Sequence, residues 1–196
     1  MRYNTIAQSV KSQYTVKMSR FLAFAVPVSD VQQAKVVIDD LTNRYHDARH
    51  VCWAYKAGAS GSEYRSSDNG EPSGTAGKPI LGQLNSFGVT NVVLVVVRYF
   101  GGIKLGTPGL TAAYREAARM ALADAEIIEE RERTEVTFTF PYTVMGRVMR
   151  LLKSDTCIEP VNQIFDNTCQ FTVLWPEDQH EELLLRLSVI DGVSIL

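Results

Sequence analysis

Two short polar loops carry the side chains of this sequence that could do chemistry. The first, Ser66-Ser-Asp-Asn-Gly-Glu-Pro-Ser-Gly-Thr-Ala-Gly77, offers the acids Asp68 and Glu71 and the hydroxyls Ser73 and Thr75. The second, Arg98-Tyr-Phe-Gly-Gly-Ile-Lys-Leu-Gly-Thr107, offers Arg98 and Lys104 on a backbone loosened by Gly101, Gly102 and Gly106. Cations ahead of a helix start suit an anion, because the first amides of a helix are free and its dipole is positive there. Arg98 could instead pair with Asp68 or Glu71, with the glycines serving only a sharp turn; both readings stand. Nucleophilic catalysis would need an activated Ser73, Thr75 or Cys52 with His50 as base. No nucleophile elbow is present, however, and His50 lies two residues from Cys52 on one strand face. A metal would call on His46, His50 and Cys52, or on Asp68 and Glu71. A turn separates His46 from His50, so helical spacing does not apply, and a satisfied histidine beside a buried cysteine is the favoured reading. Gly77-Lys78 runs into Pro79, which is not a phosphate-binding P-loop, and no dinucleotide fingerprint follows a strand. No cofactor and no metal are therefore expected. Trp53, Tyr55, Tyr99 and Phe100 are possible stacking platforms for bases, with Trp53 and Phe100 assigned to the core.

The loops must be brought together by what lies between them. A helix that holds Pro79 in its first turn and Ile80, Leu81, Leu84 and Phe87 on its apolar face ends at Gly88. The strand Val92–Val97 is apolar on both faces, which requires cover on both sides. Helix and strand have similar spans, so the second loop returns to the level of the first, at one end of a sheet. The longest helix follows, with Thr107 as its cap and Pro108 at its first position, and runs to about Ala125. Upstream, residues 3–16 suggest an irregular strand or hairpin and Phe21–Val28 a strand. A helix over 30–45 is opened by a Ser29/Gln32 capping box, and His50–Tyr55 forms a strand. The charged run Glu126–Arg133 keeps no apolar periodicity and marks a domain boundary. Beyond it come a strand Glu135–Phe140, a helix Met145–Leu152, strands Val161–Phe165 and Gln170–Leu174, a helix Glu177–Leu187 and a strand Val193–Leu196. The order is βαββαβ, the ferredoxin-like pattern.

The segments Asp68-Asn-Gly-Glu-Pro-Ser-Gly-Thr-Ala-Gly and Val95-Val-Val-Arg-Tyr-Phe-Gly-Gly-Ile-Lys-Leu-Gly, with His50-Val-Cys-Trp-Ala-Tyr upstream, resemble the signature of the IMPACT/YigZ family. The resemblance covers roughly residues 16–125. It departs from the family at Asn69, where a second acid usually precedes Gly-Glu-Pro. It implies an α+β chain of two domains: residues 1–133, like domain two of ribosomal protein S-five, and residues 134–196, a ferredoxin-like domain. It also implies a regulator of translation or stress response that binds RNA or a ribosome-associated protein, since eukaryotic members regulate a translational stress kinase through a shared activator. On that reading Lys78, Arg98, Tyr99, Gly101, Gly102, Lys104, Gly106 and Thr107 are the anion- or RNA-binding candidates. His50, Asp68, Glu71, Ser73 and Thr75 are the loop candidates. The alternative is a small hydrolase or phosphate-ester-binding enzyme that uses the Asp68–Thr75 loop with Arg98; a binding role is favoured over an enzymatic one.

Composition sets the limits. The 196 residues are 45% hydrophobic, enough to build a core, and no apolar run is long enough to span a bilayer; a cytoplasmic protein is expected. Cys52, Cys157 and Cys169 are an odd number at wide spacing and are read as buried, reduced thiols. Residues 1–133 hold 16 basic against 13 acidic side chains, whereas residues 134–196 hold 4 against 9. Any RNA contact is thus expected in the first part, through Lys78, Arg98 and Lys104.

Overall fold

The computed structural model describes residues 1–154 and 158–196. The chain divides into two units, Arg2–Glu130 and Met1 with Arg131–Leu196.

The first unit is built on a run that offers no polar face. Val92 to Val97 are fully buried in the strand β6 (Val92–Tyr99), so both sides of the sheet must be covered. The other strands are β2 (Val10–Val16), β3 (Ser19–Pro27), β4 (His50–Ala57) and β5 (Glu63–Ser67), in the order β2-β3-β6-β4-β5, each neighbouring pair antiparallel. On one side lie α2 (Gly77–Ser86) and α3 (Gly106–Ala123). Ile80, Leu84, Tyr114, Ala117, Ala118 and Ala121 pack there on Phe21, Ala23, Cys52, Leu94 and Val96. The alanines let α3 lie close on the strands. On the other side α1 (Val31–Arg44) sets Ala34, Ile38 and Leu41 against Phe24, Val51, Tyr55, Val93, Val95 and Val97. Each buried Val, Leu, Ile or Phe contributes about 1.5–3 kcal/mol, and the alanines less.

Several boundaries differ from the sequence expectation. Asp30, not Ser29, caps α1: its carboxylate accepts from the Gln33 amide at 2.8 Å, while Gln33 Oε1 accepts from the Ser29 amide at 2.6 Å. Residues 3–16 make two strands, β1 (Arg2–Ile6) and β2. The turn from β2 to β3 has positive φ at Lys17 (45°) and Met18 (63°), the twist that suits a two-residue hairpin. The charged run holds a strand that the sequence does not announce: β7 (Ile127–Arg131) pairs with β1 in a two-stranded sheet. Backbone hydrogen bonds make that pairing, and they do not depend on an apolar face.

The second unit runs β8 (Arg133–Phe140), α4 (Met145–Ser154), β9 (Glu159–Phe165), β10 (Cys169–Pro176), α5 (His180–Ser188) and β11 (Ser194–Ile195). Its antiparallel sheet has the order β11-β8-β10-β9. Val136, Phe138, Phe140, Phe171, Val173 and Trp175 form the core with Val148, Leu183 and Leu187. The expected helix from Glu177 begins as a 3-10 turn, Glu177–Gln179, before α5. Cys52 and Cys169 are free and buried, and Cys157 lies outside the described residues. Among the described residues no helix is long and apolar enough to cross a membrane.

Candidate functional site

Asp68 uses its carboxylate to organise the first loop. Oδ2 accepts from the Gly74 amide at 2.8 Å, and Oδ1 from the amides of Ala76 and Gly77 at 3.0 and 2.8 Å. These are amides at the start of α2, so Asp68 caps that helix from a distance. Burial pushes its carboxyl up, but the amides of Gly74, Gly77 and Ala76 and the charge of Lys78 outweigh that and hold it below the usual range. Asn69 sits at φ 39° and donates from Nδ2 to the Val51 carbonyl at 2.8 Å. An ionised aspartate there would have no proton for that carbonyl, and Asn tolerates the left-handed turn. The departure at Asn69 therefore serves the loop's own architecture. The Asn69 carbonyl lies 2.8 Å from His50 Nδ1. A carbonyl only accepts, so Nδ1 carries the proton.

Glu71 is the acid that Arg98 meets. Arg98 Nη1 donates to Oε1 at 2.6 Å and the Tyr114 hydroxyl donates to the same oxygen at 2.8 Å. The Arg98 and Glu71 side chains are only 9% and 3% exposed. Cys52 Sγ in turn donates to the Asp68 carbonyl at 2.9 Å and lies 3.4 Å from the Tyr114 hydroxyl. Burial pushes the Cys52 thiol up to about 12 and raises the Tyr114 phenol as well, so both hold their protons at neutral pH. A thiol that keeps its proton does not suit a nucleophile served by His50, whose Nδ1 faces Asn69 instead. Among the described residues no group of three or more His, Cys, Asp or Glu side chains could hold a metal ion. The Arg98 guanidinium lies 5.7 Å from the ring centres of both Phe21 and Phe100, and its buried Nε has no partner. Phe100 is 57% exposed and so is no core residue. It follows the last residue of β6, where the chain leaves the cover of the helices.

Gly101 is demanded by close approach. A Cβ there would stand 2.0 Å from the carbonyl carbon of Met18 in the β2–β3 turn, and the Gly101 amide donates to Ser19 Oγ at 3.1 Å. Gly106 then turns the chain at φ 71° into α3. Thr107 does not cap this helix. Leu105 holds the cap position without a side-chain hydrogen bond, and Thr107 uses its carbonyl to accept from Thr111 Oγ1 at 3.0 Å. The shift of the cap from Thr107 to Leu105 leaves the opening amides of α3 without a side-chain cap.

Both loops reach one cavity of about 440 Å³. Arg49, His50, Glu71, Arg98, Lys104 and Thr107 supply its polar lining, Gly106 backs it, and Pro72, Phe100 and Leu110 are among its apolar walls. Arg49 was not singled out in the sequence; its only signal was its place next to His50, which pairs with Arg98 across β4 and β6. Other candidates lie elsewhere. Tyr99 points to the α1 side, where its hydroxyl donates to Asp47 at 2.9 Å and Arg20 lies over its ring. Thr75 is buried and donates to the Pro72 carbonyl at 2.6 Å, and Ser73 is exposed. Gly102, at φ 89°, is a turn residue, and Lys78 borders a different cavity.

Residues 17–122 match the family described as the Impact N-terminal domain. The chain is 40% identical over 139 residues to IMPACT family member YigZ of Escherichia coli (strain K12), which spans 70% of this chain and 68% of that protein. It is 32% identical over 151 residues to IMPACT family member YvyE of Bacillus subtilis (strain 168), spanning 77% and 70%. The crystal structure of a hypothetical protein superposes with a TM-score of 0.76 at 32% identity, covering 100% of this chain and 96% of the other. The family match encloses both loops and every residue that lines their shared cavity, and the chain belongs to the IMPACT family.

Proposed function

We propose that the chain is a non-enzymatic regulator acting on translation, and that it binds RNA through the cavity between its two loops. One observation carries this. Arg49 and Lys104, which have no ion pair among the described residues, converge with the uncapped start of α3 and the exposed ring of Phe100 on a single open cavity. Cations beside free helix amides suit a phosphate, and an exposed ring beside them suits an unstacked base. Glu71 does not cancel that field, because its charge is matched by Arg98 at 2.6 Å. The translational setting, a link to stress response and a cytoplasmic site are drawn from the resemblance to the family. The strand orders of the two sheets support reading the units as ribosomal protein S-five domain-two-like and ferredoxin-like. The excess of acid after residue 134 supports keeping RNA on the first unit. The hydrolase reading is weaker, because Asp68, the acid it would use, is committed to three backbone amides.

Fluorescence anisotropy of a labelled single-stranded RNA across a salt series tests the reading. Arg49→Gln and Lys104→Gln should each weaken binding and flatten the log–log salt slope by about 0.7, the value for one phosphate contact on a single strand. Affinity that ignores salt, or no affinity at all, refutes it.

A further inference from the structure

Lys78 stands apart from the cavity shared by the two loops. It borders a second one, of about 410 Å³, cut between α2 and α3, where Gly74, Gly82, Thr111 and Arg115 also line the wall. No acidic side chain lines this groove, and among the described residues neither Lys78 nor Arg115 has an ion pair. The next arginine along α3 shows the contrast: Arg119 is neutralised by Glu116 through hydrogen bonds of 2.9 and 2.7 Å. Both groove cations are exposed. Gly82 sits inside α2 with no atom within 4 Å of a Cβ placed on it, and its φ is not in the left-handed region. Neither packing nor backbone geometry calls for glycine there, and alanine is the better helix former. Gly82 lines the groove, so a long side chain there would enter it, whereas the single methyl of alanine would meet open space.

The two cavities are neighbours along one helix. Pro72 and Thr107 belong to the first, Gly74 and Thr111 to the second, and Thr107 and Thr111 are one turn apart, joined by the hydrogen bond between them. From Thr107 to Arg115 is about 12 Å along the axis, at 1.5 Å per residue. That is the scale of a few nucleotide steps of an extended strand.

We propose that one single RNA strand crosses the first turns of α3, with one phosphate at Arg49 and Lys104 and a later phosphate of the same strand at Lys78 and Arg115. The proposal rests on the reading of the first cavity as an RNA site. The strand is single because the first cavity takes its base against Phe100, and a base held in a duplex stays paired and stacked. The second contact is made to backbone charge, through the two cations that line the groove.

The test compares the UpU dinucleotide with a labelled oligouridylate of about 8 nucleotides, within the span that single-strand sites occupy. Lys78→Gln and Arg115→Gln should each weaken the longer RNA and flatten its salt slope by about 0.7, and leave UpU unchanged. Gly82→Glu, which places an acid in the groove without removing either cation, should weaken the longer RNA as well, while Gly82→Ala should not. If Lys104→Gln weakens the longer RNA but Lys78→Gln, Arg115→Gln and Gly82→Glu do not, the strand does not cross the second groove and the proposal is overturned, with the first cavity still an RNA site. Equal affinity for a duplex overturns the single-strand assignment. If the unaltered chain binds neither RNA at any salt concentration, the track and the site reading fall together.

Discussion

Replacing Arg98 by leucine should destabilise the first unit far more than replacing Arg98 and Glu71 together. With Arg98 gone, Glu71 keeps only the Tyr114 hydroxyl on Oε1, and its carboxylate remains in a site where the side chain is 3% exposed. Breaking a buried pair in this way costs about 3–5 kcal/mol, because one charge is left without a counter-charge and out of water. At roughly 2–4 °C per kcal/mol for a chain of this size, the melting temperature should fall by about 6–20 °C. The double variant Arg98→Leu/Glu71→Leu removes both charges from a region already lined by Phe21, so its cost should be smaller than that of either single variant. Urea unfolding followed by circular dichroism gives the three differences and the coupling energy of the cycle. The reasoning fails if Arg98→Leu costs under about 1 kcal/mol, or if the double variant is the least stable of the three.

Two further outcomes follow from the loop and the strand that ends the first unit. Asp68 has its folded pKa below the unfolded value, so the unfolded chain binds the extra proton. Its contribution is complete above the ordinary aspartate range and is lost as pH falls through the folded pKa. Urea midpoints should therefore drop at acid pH in the parent chain and drop less in Asp68→Asn, which should also be weaker at pH 7 by about 1 kcal/mol, because Asn keeps one acceptor oxygen and turns an NH2 donor on the remaining amide; parallel pH profiles would contradict this. Trypsin should cut the chain after Arg131 or Arg133 and leave a stable N-terminal fragment in which β7 stays paired with β1. A core that resists cleavage across residues 126–136 argues for one cooperative unit.

What the sequence made legible was the part of the fold that apolar periodicity encodes. Val92–Val97 announces a strand covered on both sides, and Ile80, Leu84, Ala117 and Ala121 mark the helices that cover one of them. Edge elements were not legible. Glu63–Ser67 carries Glu, Tyr, Arg and two serines, and it becomes β5 only by backbone pairing to β4. Ile127–Arg131 is a strand because of a partner more than a hundred residues away. At the site, the sequence narrowed the partner of Arg98 to two acids, and the choice fell to Glu71 because the amides of α2 claim Asp68 first. Helix caps fall one residue later than Ser29 and two residues earlier than Thr107. Backbone turns decide those starts, and the left-handed Gly106 leaves no local pattern that separates it from its neighbours. An aromatic ring is more often core than surface, and nothing in the apolar run before Phe100 marks where the strand emerges from its cover.

The contact of Gly101 with the Met18 turn changes what the β2–β3 hairpin is free to do. Hairpin tips are ordinarily the places where a chain accepts inserted residues. The Met18 side chain is 72% exposed, which makes this tip look like a vacant site for an epitope or a fluorophore loop. Its backbone, however, is the wall against which the second loop is cast, and the loop's glycine is already at the limit of approach. An insertion there would move the mould as well as lengthen the tip, so the arrangement of Arg98, Phe100 and Lys104 is inherited from a turn some eighty residues upstream that does not itself line the cavity. Natural length variation among relatives should accordingly be absent at this turn.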